Sequence, residues 1–222
     1  MVEIMDDGRA GSDVRSPRPG TLDVETATAR YLLHVLLPAW FVPGLLDWWM
    51  HRRSGIERTS GTRESLLHLA MISEIGGPLL LALLLEINPL MLALMGGAAL
   101  LHETTAMWDV RLAAHSTREV TPAEQNIHSF LESLPFIAIG AVGCLHPRQV
   151  GALLRLRGGA AGWRLRRKHP PLPARYLVGV LGGVAVFGVL PYFEELHRCW
   201  RAGRAADRRV REGSRPCASA TR

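Results

Sequence analysis

Apolar residues run along this chain in long blocks rather than in the short alternations of a soluble fold. The blocks are YLLHVLLPAWFVPGLLDWWM (31–50), SLLHLAMISEIGGPLLLALLLE (65–86), NPLMLALMGGAALLHETTAMW (88–108), IHSFLESLPFIAIGAVGCLH (127–146) and RYLVGVLGGVAVFGVLPYFEEL (175–196). Each is close to the roughly 20 residues that cross a hydrocarbon core about 30 Å thick. The pattern predicts an all-α integral membrane bundle of five transmembrane helices. It divides the chain into a flexible polar arm (1–29), a membrane domain (30–197) and a basic tail (198–222).

Polar residues interrupt these blocks at regular intervals. Positions four and seven apart share a helix face. Asp47 and His51 close the first block, and Glu64 and His68 open the second. His102, Thr105 and Asp109 close the third, with Glu103 beside them, and Glu124, His128 and Glu132 open the fourth. Successive spans reverse direction, so all four groups fall at the same end of the bundle. Ionisable groups inside a membrane cost several kcal/mol each unless paired or metal-bound, and are functional by default.

The groups also repeat. Asp47 to Glu57 and Asp109 to Glu119 are both ten residues apart, each stretch is followed by Glu-x-x-x-His, and Trp48 and Trp108 flank the two aspartates. Two helical hairpins in parallel orientation follow, making a four-helix bundle with a quasi-twofold site. The fifth block carries Gly179 and Gly183, a small-xxx-small face suited to close packing. It offers no ligand stripe and is expected to buttress the four.

Composition narrows the chemistry. The 222 residues are 48% hydrophobic with a net charge of +6, carried almost wholly by arginine. Arginines that follow a membrane helix contact lipid headgroups and hold a tail in the cytoplasm, so no nucleic-acid partner is expected. The loop QVGALLRLRGGAAGWRLRRK is also basic, which weakens the orientation signal, and it reads as a broken amphipathic piece along the interface. Cys144, Cys199 and Cys217 are too few and too scattered for a disulfide framework or thiolate site.

Carboxylates with several imidazoles at one depth are what two divalent metals require, and four-helix bundles presenting Glu and His inward host iron or manganese pairs. The candidate ligands are Asp47, His51, Glu64, His68, His102, Asp109, Glu124 and His128. Glu103 is placed to orient a histidine, while Glu74 and Glu132, deeper in their helices, are candidates for proton relay or substrate contact. The bland alternative is a salt-bridge network of these acids with Arg52, Arg53, Arg63 or Arg111, with Glu124 serving the Thr121–Pro122 helix start. His115 stays open, and His34, His146, His169 and His197 read as interfacial.

Three functions fit the constellation. The first is an oxygen-dependent oxidoreductase with two metal ions, iron before manganese or zinc, acting with an electron donor on a lipid or other hydrophobic substrate. The second is a zinc hydrolase with a carboxylate base. The third is a metal or proton transporter or sensor. DWWMHRRSGIERTSGTRESLLHL, LLEINPLMLALM, HETTAMWDV and REVTPAEQNIHSFLE resemble a family of small bacterial multi-pass membrane proteins rich in Glu and His. The resemblance implies a bacterial inner-membrane location and no particular chemistry.

Overall fold

The computed structural model describes residues 23–116, 120–156 and 159–213. The arm ahead of Asp23, Arg118 and Glu119, and the tail beyond Gly213 with Cys217 lie outside the described residues. Five helices are long and apolar enough to cross a membrane. They are α1 (Val24–Ser54), α2 (Thr62–Leu84), α3 (Pro89–Ala114), α4 (Pro122–Leu145) and α5 (Ala174–Glu212). The protein is an all-α membrane bundle, and its helices run beyond the apolar blocks at both ends of the chain.

Local chemistry sets the helix ends. Gly55 closes α1 in the left-handed region at φ 71°, and Gly61 starts α2 at φ 67°, so the tight α1–α2 turn relies on residues without a Cβ. At the start of α3, Asn88 accepts the Met91 N–H at 2.9 Å with Pro89 in the first turn. At the start of α4, Thr121 accepts the Glu124 N–H at 3.2 Å with Pro122 in the first turn. Both starts follow the preference for a polar cap and an early proline. The basic segment between α4 and α5 begins with a short helix, Pro147–Leu154, and is then laced across the α2–α3 turn. Lys168 N–H donates to Leu84 O at 2.9 Å, Asn88 Nδ2 to Arg164 O at 2.8 Å and Lys168 Nζ to Ala82 O at 2.7 Å. Burial there pushes the Lys168 ammonium pKa below its ordinary value.

The helices form a closed ring in the order α1, α4, α3, α2, α5. Consecutive spans α2 and α3 pack most extensively, whereas α1 and α2 are held apart by α5, which enters between them. The sequence repeat is visible in space. Asp47 of α1 meets His128 of α4 at 2.7 Å, and Asp109 of α3 meets His68 of α2 at 3.5 Å, so the aspartate of each half faces the histidine of the other. The fifth helix breaks this quasi-twofold relation by occupying one of the two equivalent seams.

Burial is the reverse of a soluble protein's. Leu100, Trp108, Val178 and Phe193 face outward, while Asp47, His51, Glu64, His68, Asp109, Glu124 and Glu195 are buried. Lipid solvates the outer surface and the polar groups satisfy one another inside. The α1–α5 seam is tight at one point, since a Cβ added to Gly183 would lie 2.8 Å from Cε2 of Phe41. Gly179 meets nothing within 4 Å, so of the two glycines only Gly183 serves close packing. Gly183→Leu is therefore expected to cost about 1–3 kcal/mol through overpacking. Thermal unfolding in detergent should show a lowered midpoint for Gly183→Leu and an unchanged one for Gly179→Leu.

Candidate metal centre

Each ligand-bearing side chain sits where its helix approaches the same end of the ring. Asp47 and His51 lie one turn apart on α1 and are 4% and 0% exposed. Glu64 and His68 occupy the first two turns of α2, and Glu124 and His128 those of α4. Asp109 lies near the end of α3. Among the described residues, three overlapping sets have ligand atoms within 4.8 Å of one another: Asp47, His51 and His128; His51, His68 and Glu195; and Glu64, His68 and Asp109.

Glu195 of α5 organises the centre. Its Oε2 accepts from His51 Nδ1 at 3.1 Å and its Oε1 from His68 Nδ1 at 2.8 Å. The two imidazoles stack with centroids 4.4 Å apart and planes within 9°. A carboxylate can only accept, so both Nδ1 atoms carry the hydrogen of these bonds. Neither Nε2 has a hydrogen-bond partner among the described residues. Yet His51 Nε2 faces Asp47 Oδ1 and Glu124 Oε1, each at 3.5 Å, and His68 Nε2 faces Asp109 Oδ2 at 3.5 Å.

The 3.5 Å distances are longer than hydrogen bonds and match shared coordination, whereas the 2.7 Å between His128 Nε2 and Asp47 Oδ1 is hydrogen-bond length. Ring nitrogen to carboxylate hydrogen bonds centre near 2.9 Å. Two ligands bound at about 2.1 Å to one tetrahedral ion lie about 3.4 Å apart. Nitrogen and oxygen atoms that face each other at 3.5 Å are spaced as two ligands of one cation would be. The arrangement also matches the carboxylate-bound histidine that steadies metal sites, with Glu195 in the role of the orienting carboxylate. These buried His, Glu and Asp groups can bind metal. Five carboxylates, Asp47, Glu64, Asp109, Glu124 and Glu195, are buried together there, and a dense set of acids in hydrocarbon needs countercharge.

The remaining sequence candidates spread around this core. His102 is not in any of the three sets; its Nδ1 lies 3.8 Å from Glu74 Oε2, and Glu74 Oε1 accepts from Thr105 Oγ1 at 2.8 Å. Glu132 lines the cavity beside the cluster, together with His102. Glu103 is half-buried on α3, and His115 is exposed and donates to Arg111 O, away from the centre. The arginines named in the salt-bridge alternative point elsewhere. Arg52 pairs with Glu194 at 2.8 Å, Arg53 lies over the Trp49 ring, and Arg63 and Arg111 are exposed.

The expectation that α5 carries no ligand-like residue is overturned. Glu195 is fully buried between two histidines, and Tyr192, one turn earlier, donates to Asp47 Oδ2 at 2.9 Å. A signal was present, because α5 runs parallel to α1 and α3 and LPYFEEL therefore ends on the side of the other acids. The neighbouring Glu194 faces the other way and accepts from Trp48 Nε1 at 3.0 Å and from Arg52. With the Arg198–Glu57 pair it clamps the end of α5 to the end of α1.

No family model, curated protein or solved structure matches the chain. Loss of an orienting carboxylate typically costs about 10–100-fold in metal affinity. Glu195→Ala is expected to weaken metal binding by that factor in a competition titration with a chromophoric chelator. Glu194→Ala, which removes the outward neighbour, should leave the binding curve in place.

Proposed function

We propose that the protein is a membrane metalloenzyme with two divalent ions in the His/carboxylate centre, acting as an oxygen-dependent oxidoreductase on a hydrophobic substrate. The observation that carries this reading is the pair of Nε2 atoms of His51 and His68, which face carboxylate oxygens beyond hydrogen-bond distance. Each is braced by Glu195 and each is set 3.5 Å from carboxylate oxygen. In the quasi-twofold frame, Asp47, Glu124, His128 and His51 would hold one ion, and Asp109, Glu64 and His68 the other. Carboxylate-rich sets with few imidazoles favour iron or manganese over thiolate-seeking metals.

A redox-active pair in this place would pass electrons from an external donor to dioxygen. For a hydroxylation the balance is one C–H bond, one dioxygen, two electrons and two protons giving one alcohol and one water. The chain's own contribution is to hold the ligands, to exclude water from the reacting carbon and to carry protons. Glu132 and the Glu74–His102 pair stand beside the cavity where such protons would pass. The bacterial inner membrane, with the basic tail in the cytoplasm, would put the centre within reach of soluble reductants.

Elemental analysis of the detergent-purified protein should find about two irons per chain. Glu64→Ala and His128→Ala should each lose most of the metal, whereas His169→Ala should keep it. One zinc per chain without reductant-dependent oxygen uptake would favour hydrolysis of a lipid ester or amide instead. Metal that exchanges freely on dilution would favour transport or sensing. Unchanged metal content in both ligand variants would end the metalloenzyme reading.

A further inference from the structure

The helix ring encloses a cavity of about 180 Å³ whose floor includes Asp47, His68, Asp109, His128 and Tyr192. Above these its walls are mostly apolar, with Trp40 and Phe41 from α1, Ile75 and Leu79 from α2, and Leu131 from α4, interrupted by His102 and Glu132. A second cavity, of about 40 Å³, lies between Pro78 of α2 and Pro135 of α4 and reaches Ile139. Trp40, Ile75 and Leu79 line both spaces, so the two share one wall along the bundle. From His128 to Ile139 the path follows α4 for about 16 Å at 1.5 Å per residue.

Three helices contribute glycine to the larger cavity: Gly44 of α1, Gly76 of α2 and Gly188 of α5. A Cβ added at Gly44 or Gly76 meets nothing within 4 Å, and one at Gly188 only Val184 at 4.0 Å. The missing side chains therefore leave room rather than permit close packing. Part of α5 here, Val184–Val189, is a π-helical segment, and Val184, Phe187 and Gly188 from it face the cavity. Such segments recur at functional sites because they re-aim side chains within a helix. Phe187 of α5 and Val110 of α3 line the cavity and are 43% and 41% exposed, so the space is open at its sides.

From this geometry we infer that the cavity takes a segment of one unbranched hydrocarbon chain, drawn from the bilayer and laid beside the His/carboxylate centre. Size sets the class. An apolar cavity of about 150 Å³ holds a single benzene. A space only slightly larger favours a segment of one slim chain over sterol rings, paired acyl chains and methyl-branched prenyl chains, and the narrow second chamber lies across the wall the two spaces share. The fate of the chain rests on the proposed oxidation centre, but its binding does not.

The test uses the full-length protein in detergent and the methyl ester of hexadecanoic acid with a mid-chain diazirine. After illumination, adducts are expected on residues 71–79 or 184–188. Linear hexadecane should suppress them at least tenfold more effectively than a tetramethyl-branched C16 alkane. Gly76→Phe, which fills the cavity, should reduce them at least tenfold with metal content unchanged. Gly44→Leu provides the same reading if Gly76→Phe does not accumulate. Adducts confined to outward residues such as Leu101 and Val178, or unaffected by both filling variants, would overturn the inference. Equal competition by the branched alkane would do so as well. Metal assayed on the same samples separates the two proposals: cavity adducts without bound metal retain the chain site and remove the oxidation centre, and the converse removes only the chain site.

Discussion

The structure turns on one buried carboxylate. Glu195 spans two imidazoles that belong to different helices, and those helices, α1 and α2, make no extended contact with each other. Removing a charge from water in a bilayer is costly, and two charge-assisted hydrogen bonds offset only part of that cost. The site therefore needs the helices held in place by other means. Outside the core, Arg52 and Trp48 grip Glu194 and Arg198 grips Glu57. Each such pair contributes little energy alone. Together they fix the rotation of α5, so that Glu194 faces outward and Glu195 inward.

That placement explains why a repeated sequence produces an unequal site. The first four helices carry matched Asp, Glu and His residues, and Asp47–His128 mirrors Asp109–His68. His51 has no counterpart, because the position that corresponds by the Asp47–Asp109 spacing is Ala113. The fifth helix arrives on the His51 side and supplies the carboxylate that this extra imidazole shares with His68. The two halves therefore differ in ligand number and in surroundings.

The cavity and the cluster depend on the same ring. Five helices around a central space leave a void that four would close, and glycines on three of them keep it open. Polar groups collect at one end because the turns and helix termini there can satisfy them. The middle of the ring is mostly apolar, and the acid and imidazole that reach it, Glu74 and His102, face each other with Thr105 donating to Glu74. The result is a hydrocarbon-lined space that ends on a set of acids and imidazoles.

Much of this was legible in the chain itself. Block length and composition alone determined five membrane helices, since a bilayer tolerates no other backbone there. The i,i+4 spacing of Asp47 with His51, Glu64 with His68 and Glu124 with His128, with reversal of direction at each turn, determined that these groups share one end. Periodicity could not decide which helices are neighbours, because lipid-facing and helix-facing positions are both apolar. It therefore gave no sign that α5 enters between α1 and α2, that Glu195 rather than Glu194 turns inward, or that His102 turns toward Glu74. Those outcomes depend on the rotation of each helix about its axis, which is set by contacts such as Phe41 against Gly183 and Glu194 against Arg52. Only the packed ring contains them.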